Sequence, residues 1–297
     1  MTLEQALKNA STKVWNELEP VTNKAHKIFE VREEALTTLA LKEISRSLCS
    51  QIKAIEMISA VTESERGYDF ELAIGSDKIN KYIRFFVQSK RLYGNRTKSS
   101  YDAIKNEQVC DLIRYGKRES GLSTYAFYNH LLDNDLILQD HYNSVSVFNR
   151  ELLGITLTSA YSVSKALDKR FSTYHYNDGI RVSPRVYSLR AFPHLFSFYK
   201  HQKNLTIPFH EISYLTIELA EIINKSYRRK ERAGTLPLLL LLFPGFEDFL
   251  DDEKDLIPIT RTSSHELVSI FRRESERVNT DQVFSPKALI IIDTEEA

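Results

Sequence analysis

Residues 82–128 constrain this chain more than any other stretch. Tyr82 to Leu92 (YIRFFVQSKRL) is rich in β-branched and aromatic residues, which predicts a strand. Residues 100–117 then carry apolar side chains at helical spacing, through Ala103, Ile104, Val109, Leu112 and Ile113. Leu122 to Tyr128 (LSTYAFY) returns to strand character. Strand, helix, strand is a crossover unit. It favours parallel pairing of the two strands, with the helix on one face. The chain therefore reads as α/β, a central mixed β-sheet flanked by helices with helical extensions.

The flanking segments fit that frame. Residues 3–30 read as helical, with Pro20 marking a break. A long helical pattern follows from Val31 to Val61, its apolar face running from Leu36 to Ile58. Asp69 to Ile74 (DFELAI) alternates like a short strand, and Gly75-Ser76-Asp77 is turn chemistry. Gly154 to Thr158 predicts a further strand and Ser159 to Phe171 a helix. Ile212–Arg229 and Ser264–Val278 read as helices, the latter capped by Ser263 or Ser264. Leu238–Phe243 and Ala288–Ile292 read as buried strands. The expected organisation is a helical segment over 1–30, an α/β domain over 31–200, and an α/β extension over 201–297 packed on that core.

Composition removes several function classes. Lys+Arg and Asp+Glu are 40 each, so the net charge is zero, unlike a protein that coats nucleic acid. Two distant cysteines, Cys49 and Cys110, give neither metal spacing nor a disulfide framework. The first 20 residues lack the apolar stretch of a signal peptide, and Leu236–Phe243 is too short to span a bilayer. The expectation is a cytoplasmic protein with no membrane partner. Ser162-x-x-Lys165 lacks its companion motifs, and His210-Glu211 lacks a second histidine.

One constellation carries chemistry. Glu63 precedes a glycine turn at Gly67, and Asp69 opens a strand. On the next strand Gln88 and Lys90 are two apart and share a face. Antiparallel pairing would bring Asp69 beside them, with Glu63 approaching the same point. Two carboxylates, an amide oxygen and an ammonium suit phosphodiester hydrolysis. Mg²⁺ takes oxygen ligands, here Glu63, Asp69 and Gln88, and lowers the pKa of a bound water. Lys90 would stabilise the developing charge. For the first acidic residue, Glu56, Glu65 and Glu71 stand as rivals to Glu63.

This pattern resembles the PD-(D/E)XK nuclease superfamily. The segment FFVQSKRL is similar to its Mrr-type Gln-x-Lys variant, and Glu63…Gly67-Tyr68-Asp69, Val87–Arg91, Gln108 and Tyr125–Asn129 resemble an uncharacterised bacterial family within it. The resemblance covers roughly residues 35–160. It implies a restriction-endonuclease-like core and a Mg²⁺-dependent nuclease in which Mn²⁺ can substitute. It further implies a DNA partner, with Arg91, Gln108 and Tyr125 as substrate contacts, a role in bacterial defence or mobile-element biology, and homodimers as a common state. The alternative it leaves open is an inactive nuclease-fold protein that binds nucleic acid or regulates. Seven basic residues between Lys78 and Lys98, with no acidic one, offer a phosphate-neutralising surface near the site. A second basic cluster, Lys225 to Arg232, reads as a solvated helix end.

Overall fold

A computed structural model describes residues 1–23, 31–57, 69–93, 100–104, 106–130, 150–161, 163–164, 187–190, 207–228, 257–277 and 288–296. The strands are β1 (Ile52–Met57), β2 (Phe70–Ser76), β3 (Lys81–Tyr93), β4 (Ser100–Ile104), β5 (Leu122–Tyr128), β6 (Ile155–Ser159), β7 (Tyr187–Arg190), β8 (Ile207–Pro208) and β9 (Ala288–Asp293). Among the described residues, the helices of three turns or more are α1 (Leu3–Asn23), α2 (Glu33–Ser47), α3 (Asn106–Arg118), α4 (Ile217–Arg228) and α5 (Ser264–Arg277).

The sheet runs β1-β9-β2-β3-β5-β6-β8, with β4 and β7 attached beside β3. It is mixed. β3 and β5 pair in parallel, as the crossover requires, and β2 and β9 are also parallel. The β2–β3, β1–β9, β5–β6 and β6–β8 pairs are antiparallel. Strand alternation sends Leu72, Ile74, Phe85, Val87, Ile290 and Ile292 to one face, under α1 and α2. The opposite face carries Phe86, Tyr125 and Phe127 under α3, and Ala73, Leu289 and Ile291 under α5. The fold is thus a mixed sheet with helices on both faces.

Four expectations change. The helical pattern over 31–61 divides into α2 and β1. Ile52, Ile55 and Ile58 recur every third residue and mimic a helix. The helix nevertheless ends at Leu48 (φ −118°, ψ 29°), and the segment beyond it finds ladder partners on β9. Likewise residues 100–104 are a strand, because β3 and β7 offer them hydrogen bonds, and α3 begins only at Asn106. Pro20 does not end α1, which continues to Asn23. A ring without an N–H forfeits one hydrogen bond, and the last turn of a well-packed helix tolerates that loss. The turn after β2 also falls slightly later, at residues 77–80, with Asn80 at φ 50°.

Ala288–Ile292 is a buried strand, and its position gives it weight. It lies between β1 and β2, paired on both sides within the sheet. Leu289, Ile290, Ile291 and Ile292 are all fully buried, on alternating faces. Burial on both sides explains the unbroken apolar run. Each such side chain contributes about 1.5–3 kcal/mol on burial. Segment 201–297 therefore supplies β8 and β9 to the same sheet. Residues 238–243 lie outside the described residues.

Candidate functional site

The site begins where a ladder stops. The β2–β3 pairing ends at Phe70 opposite Val87, with a last backbone bond from Asp69 N–H to Val87 O at 2.7 Å. Beyond it, Ser89 and Arg91 are two apart, so both N–H groups leave β3 along the edge that Val87 uses. Each amide meets a carboxylate in place of a strand. Asp69 Oδ2 accepts from Ser89 N–H at 2.7 Å, and Glu33 Oε1 accepts from Arg91 N–H at 3.0 Å.

Side chains from β3 and α3 complete the group. Gln88 Nε2 donates to Asp69 Oδ2 at 2.9 Å, and Gln88 Oε1 accepts from Gln108 Nε2 at 2.9 Å. Lys90 Nζ donates to Glu33 Oε2 at 3.3 Å. Gln88 and Lys90 are buried, at 3% and 7% exposure, while Glu33 and Asp69 are partly exposed.

Electrostatics ties the two acids together. Burial pushes the Glu33 carboxyl above its ordinary range. The Lys90 charge and the Arg91 N–H oppose that shift, and the negative charge of Asp69 adds to it. Glu33 also stands in the first turn of α2, where the helix dipole favours an anion.

The sequence-predicted residues fall into distinct places. Asp69 and Gln88 meet, Gln108 joins them through Gln88, and Lys90, on the same face of β3 as Gln88, reaches Glu33. Glu63 and its rival Glu65 lie outside the described residues. The other rivals are engaged elsewhere. Glu56 pairs with Arg272 at 2.6 Å, and Glu71 with Arg84 at 2.6 Å. Arg91 is 6% exposed, and its guanidinium donates to the Val31 carbonyl, so it holds the entry to α2. Tyr125 is opposite Gln88 in register and fully buried. Its hydroxyl finds no hydrogen-bond partner among the described residues. Burial first, and then the nearby carboxylates of Asp69 and Glu33, push its pKa up.

Glu33 is the residue that sequence reasoning missed. Its local signal, an acid in the first turn of a helix, is common to many helices. Nothing in the chain near Glu33 announces that α2 will dock its first turn against residues 90 and 91.

The basic stretch also changes character. Lys78 pairs with Glu295, Lys81 with Glu221, Arg84 with Glu71 and Lys90 with Glu33. Each of these four meets a carboxylate on a different element. Arg96 and Lys98 lie outside the described residues.

Beneath the two carboxylates sits a group of hydroxyls. Thr37 Oγ1 lies 2.8 Å from Tyr128 Oη and 3.2 Å from Ser89 Oγ, and Ser89 Oγ is 3.2 Å from Tyr128 Oη. All three residues are buried on the α2 face.

No group of three or more His, Cys, Asp or Glu side chains able to hold a metal occurs among the described residues. The donors gathered here are two carboxylates and a carboxamide. They are hard oxygen ligands of the kind Mg²⁺ or Mn²⁺ accepts, with water filling the remaining positions. As oriented, Gln88 turns its N–H₂ to Asp69. Half a turn of the Gln88 and Gln108 amides exchanges donor and acceptor with the same heavy-atom positions, and would give the Gln88 oxygen to a cation beside Asp69.

No helix among the described residues is long and apolar enough to cross a membrane. One protein family matches the chain over residues 3–291, and its description is a family of unknown function (DUF6615). No curated protein and no solved structure matches the chain.

Proposed function

We propose that this chain, which belongs to the DUF6615 family, is a divalent-metal-dependent nuclease whose site is Glu33, Asp69, Gln88 and Lys90. One observation carries the reading. Two carboxylates from separate elements meet alternate amides of one strand edge, with Gln88 and Lys90 between them. A purely structural edge needs only a neighbouring strand to satisfy its amides. Here it is satisfied by two acids that repel each other, one of them partly desolvated.

Glu33, Asp69 and the Gln88 oxygen would hold Mg²⁺ or Mn²⁺. Bound there, the cation supplies Lewis acidity to a phosphate oxygen and lowers the pKa of a bound water. Lys90 contributes a cation beside the carboxylates. Released from Glu33, its ammonium would reach an anionic phosphate and stabilise charge developing there. Gln108 holds the Gln88 amide in place. The substrate class follows from this donor set and the PD-(D/E)XK resemblance: a phosphodiester in nucleic acid, DNA first, with defence or mobile-element biology as the setting.

A second reading draws on the same contacts. Glu33 already has Lys90 and Arg91, and Asp69 has Ser89 and Gln88. A network this well compensated also suits a nuclease-fold protein that binds nucleic acid or regulates without cleaving it.

Plasmid, single-stranded DNA and RNA cleavage with Mg²⁺ or Mn²⁺ separates the two. The nuclease reading expects metal-stimulated cleavage, reduced on the order of 100-fold or more in Lys90→Ala and in Asp69→Asn. Folded protein that binds nucleic acid but cleaves none of these substrates supports the second reading and ends the first.

A further inference from the structure

A path of hydrogen bonds through Ser89 and Thr37 runs from the Asp69 carboxylate to the backbone of Glu33. Asp69 Oδ2 accepts from Ser89 N–H at 2.7 Å. Ser89 Oγ lies 3.2 Å from Thr37 Oγ1, and Thr37 Oγ1 donates to the backbone carbonyl of Glu33 at 3.0 Å. Tyr128 Oη braces the path, 2.8 Å from Thr37 and 3.2 Å from Ser89. Thr37 lies one helical turn after Glu33, so fixing Thr37 fixes the axial and rotational position of Glu33.

The proton count fits such a brace. The Thr37 proton goes to the Glu33 carbonyl. The protons of Ser89 and Tyr128 remain for the three contacts of the triangle. The 2.8 Å contact to Tyr128 takes one, and the two 3.2 Å contacts share the other. The surroundings are apolar, with Leu36, Ala40, Leu41, Val87 and Ala126 in the same core. Three hydroxyls dehydrated there give no packing that apolar residues could not. What they add is direction.

We infer that Thr37, Ser89 and Tyr128 are positioning residues that set the separation of the Glu33 and Asp69 carboxylates, and so the affinity of the site for a divalent cation. This rests on the metal-site reading above. Glu33 and Val31 tie the start of α2 to Lys90 and Arg91, and the hydroxyl brace adds a second polar attachment to the sheet one turn further along the helix.

The test is Mn²⁺ binding to the full chain by titration calorimetry. Thr37→Val and Tyr128→Phe remove one hydroxyl each at nearly constant volume. Each is expected to weaken Mn²⁺ binding on the order of tenfold, as loss of a ligand-orienting contact does. Thr37→Ser keeps the hydroxyl and restores affinity. Ala40→Gly, on the same helix and outside the brace, lowers the melting temperature but leaves the Mn²⁺ affinity alone. If Thr37→Val does not fold, Tyr128→Phe carries the same test. Unchanged affinity in the hydroxyl variants, or equal weakening in Ala40→Gly, overturns the inference alone. Absence of Mn²⁺ binding by the wild-type chain overturns the metal-site reading with it.

Discussion

The pairing of Glu71 with Arg84 separates an acid of stability on β2 from Asp69, the acid just before that strand. Their side chains are only 2% and 4% exposed. Arg84 grips both carboxylate oxygens, at 2.6 and 3.2 Å, donates to the Glu119 carbonyl at 3.0 Å, and lies 4.8 Å over the Phe86 ring. Replacing Arg84 by Met keeps much of the volume but leaves the Glu71 charge buried and unpaired. Breaking one partner of such a pair costs about 3–5 kcal/mol. At roughly 2–4 °C per kcal/mol for a chain somewhat shorter than this one, the melting temperature should fall on the order of 10 °C. The double variant Glu71→Leu/Arg84→Met removes both charges. It should return to within about 1 kcal/mol of wild type, because the dehydration cost disappears with the attraction. Thermal unfolding of both singles and the double at pH 7 closes the cycle and isolates the coupling. Mn²⁺ titration of the double variant then tests the assignment of Glu71. Unchanged affinity is expected, since Glu71 serves Arg84. A single Arg84→Met variant costing less than about 1 kcal/mol would refute the energetic reasoning. A stable double variant that has lost Mn²⁺ affinity would refute the division of roles.

Two further outcomes follow from the titratable groups. The Glu33 carboxyl lies above its ordinary range because of burial, so the native state holds its proton more tightly than the unfolded chain does. Its ionisation opposes folding above the folded pKa, and that penalty is absent below the unfolded value near 4.3. Glu33→Gln should therefore raise the melting temperature at pH 7, an advantage that fades toward pH 4, while Mn²⁺ binding is lost. A lower melting temperature at pH 7 with retained Mn²⁺ binding would count against both parts. Asp77 behaves in the opposite sense. Burial works against its charge, but bonds from Ser264 N–H and Oγ, at 2.7 and 2.6 Å, outweigh it and hold the carboxyl below its usual range. Its contribution is present above about pH 4 and is lost as pH falls through the folded pKa. Asp77→Ala removes this cap from α5 and should cost about 1–2 kcal/mol at pH 7, with a flatter acid limb in a pH series of urea denaturations.

Local pattern carried much of the fold. The aromatic and β-branched run over 82–92, the helical spacing that ends near residue 117, and the strand at 122–128 predict a parallel crossover, and β3 and β5 pair in that way. Ser263 accepts from Glu266 N–H at 3.2 Å, as a cap residue ahead of an apolar helix should. The two-residue alternation placed Gln88 and Lys90 together, and an antiparallel β2 brought Asp69 to them. Boundaries were less legible where a strand takes its hydrogen bonds from distant residues. β1 is a strand because β9, more than 200 residues later, supplies its ladder. Residues 52–58 alone show only an every-third apolar count.

By itself, then, the sequence determined the α/β class, the crossover, and three side chains of the candidate site, because strand alternation and turn chemistry act over a few residues. Tertiary structure alone decided the rest. It inserted β9 between β1 and β2, assigned Glu71 to Arg84, paired Lys78, Lys81 and Lys90 with other carboxylates, and brought Glu33 to the edge of β3. The physical reason is the same in each case. A carboxylate is a ligand, a cap or a buried counter-ion according to which donors surround it, and those donors arrive from elements far away in the chain.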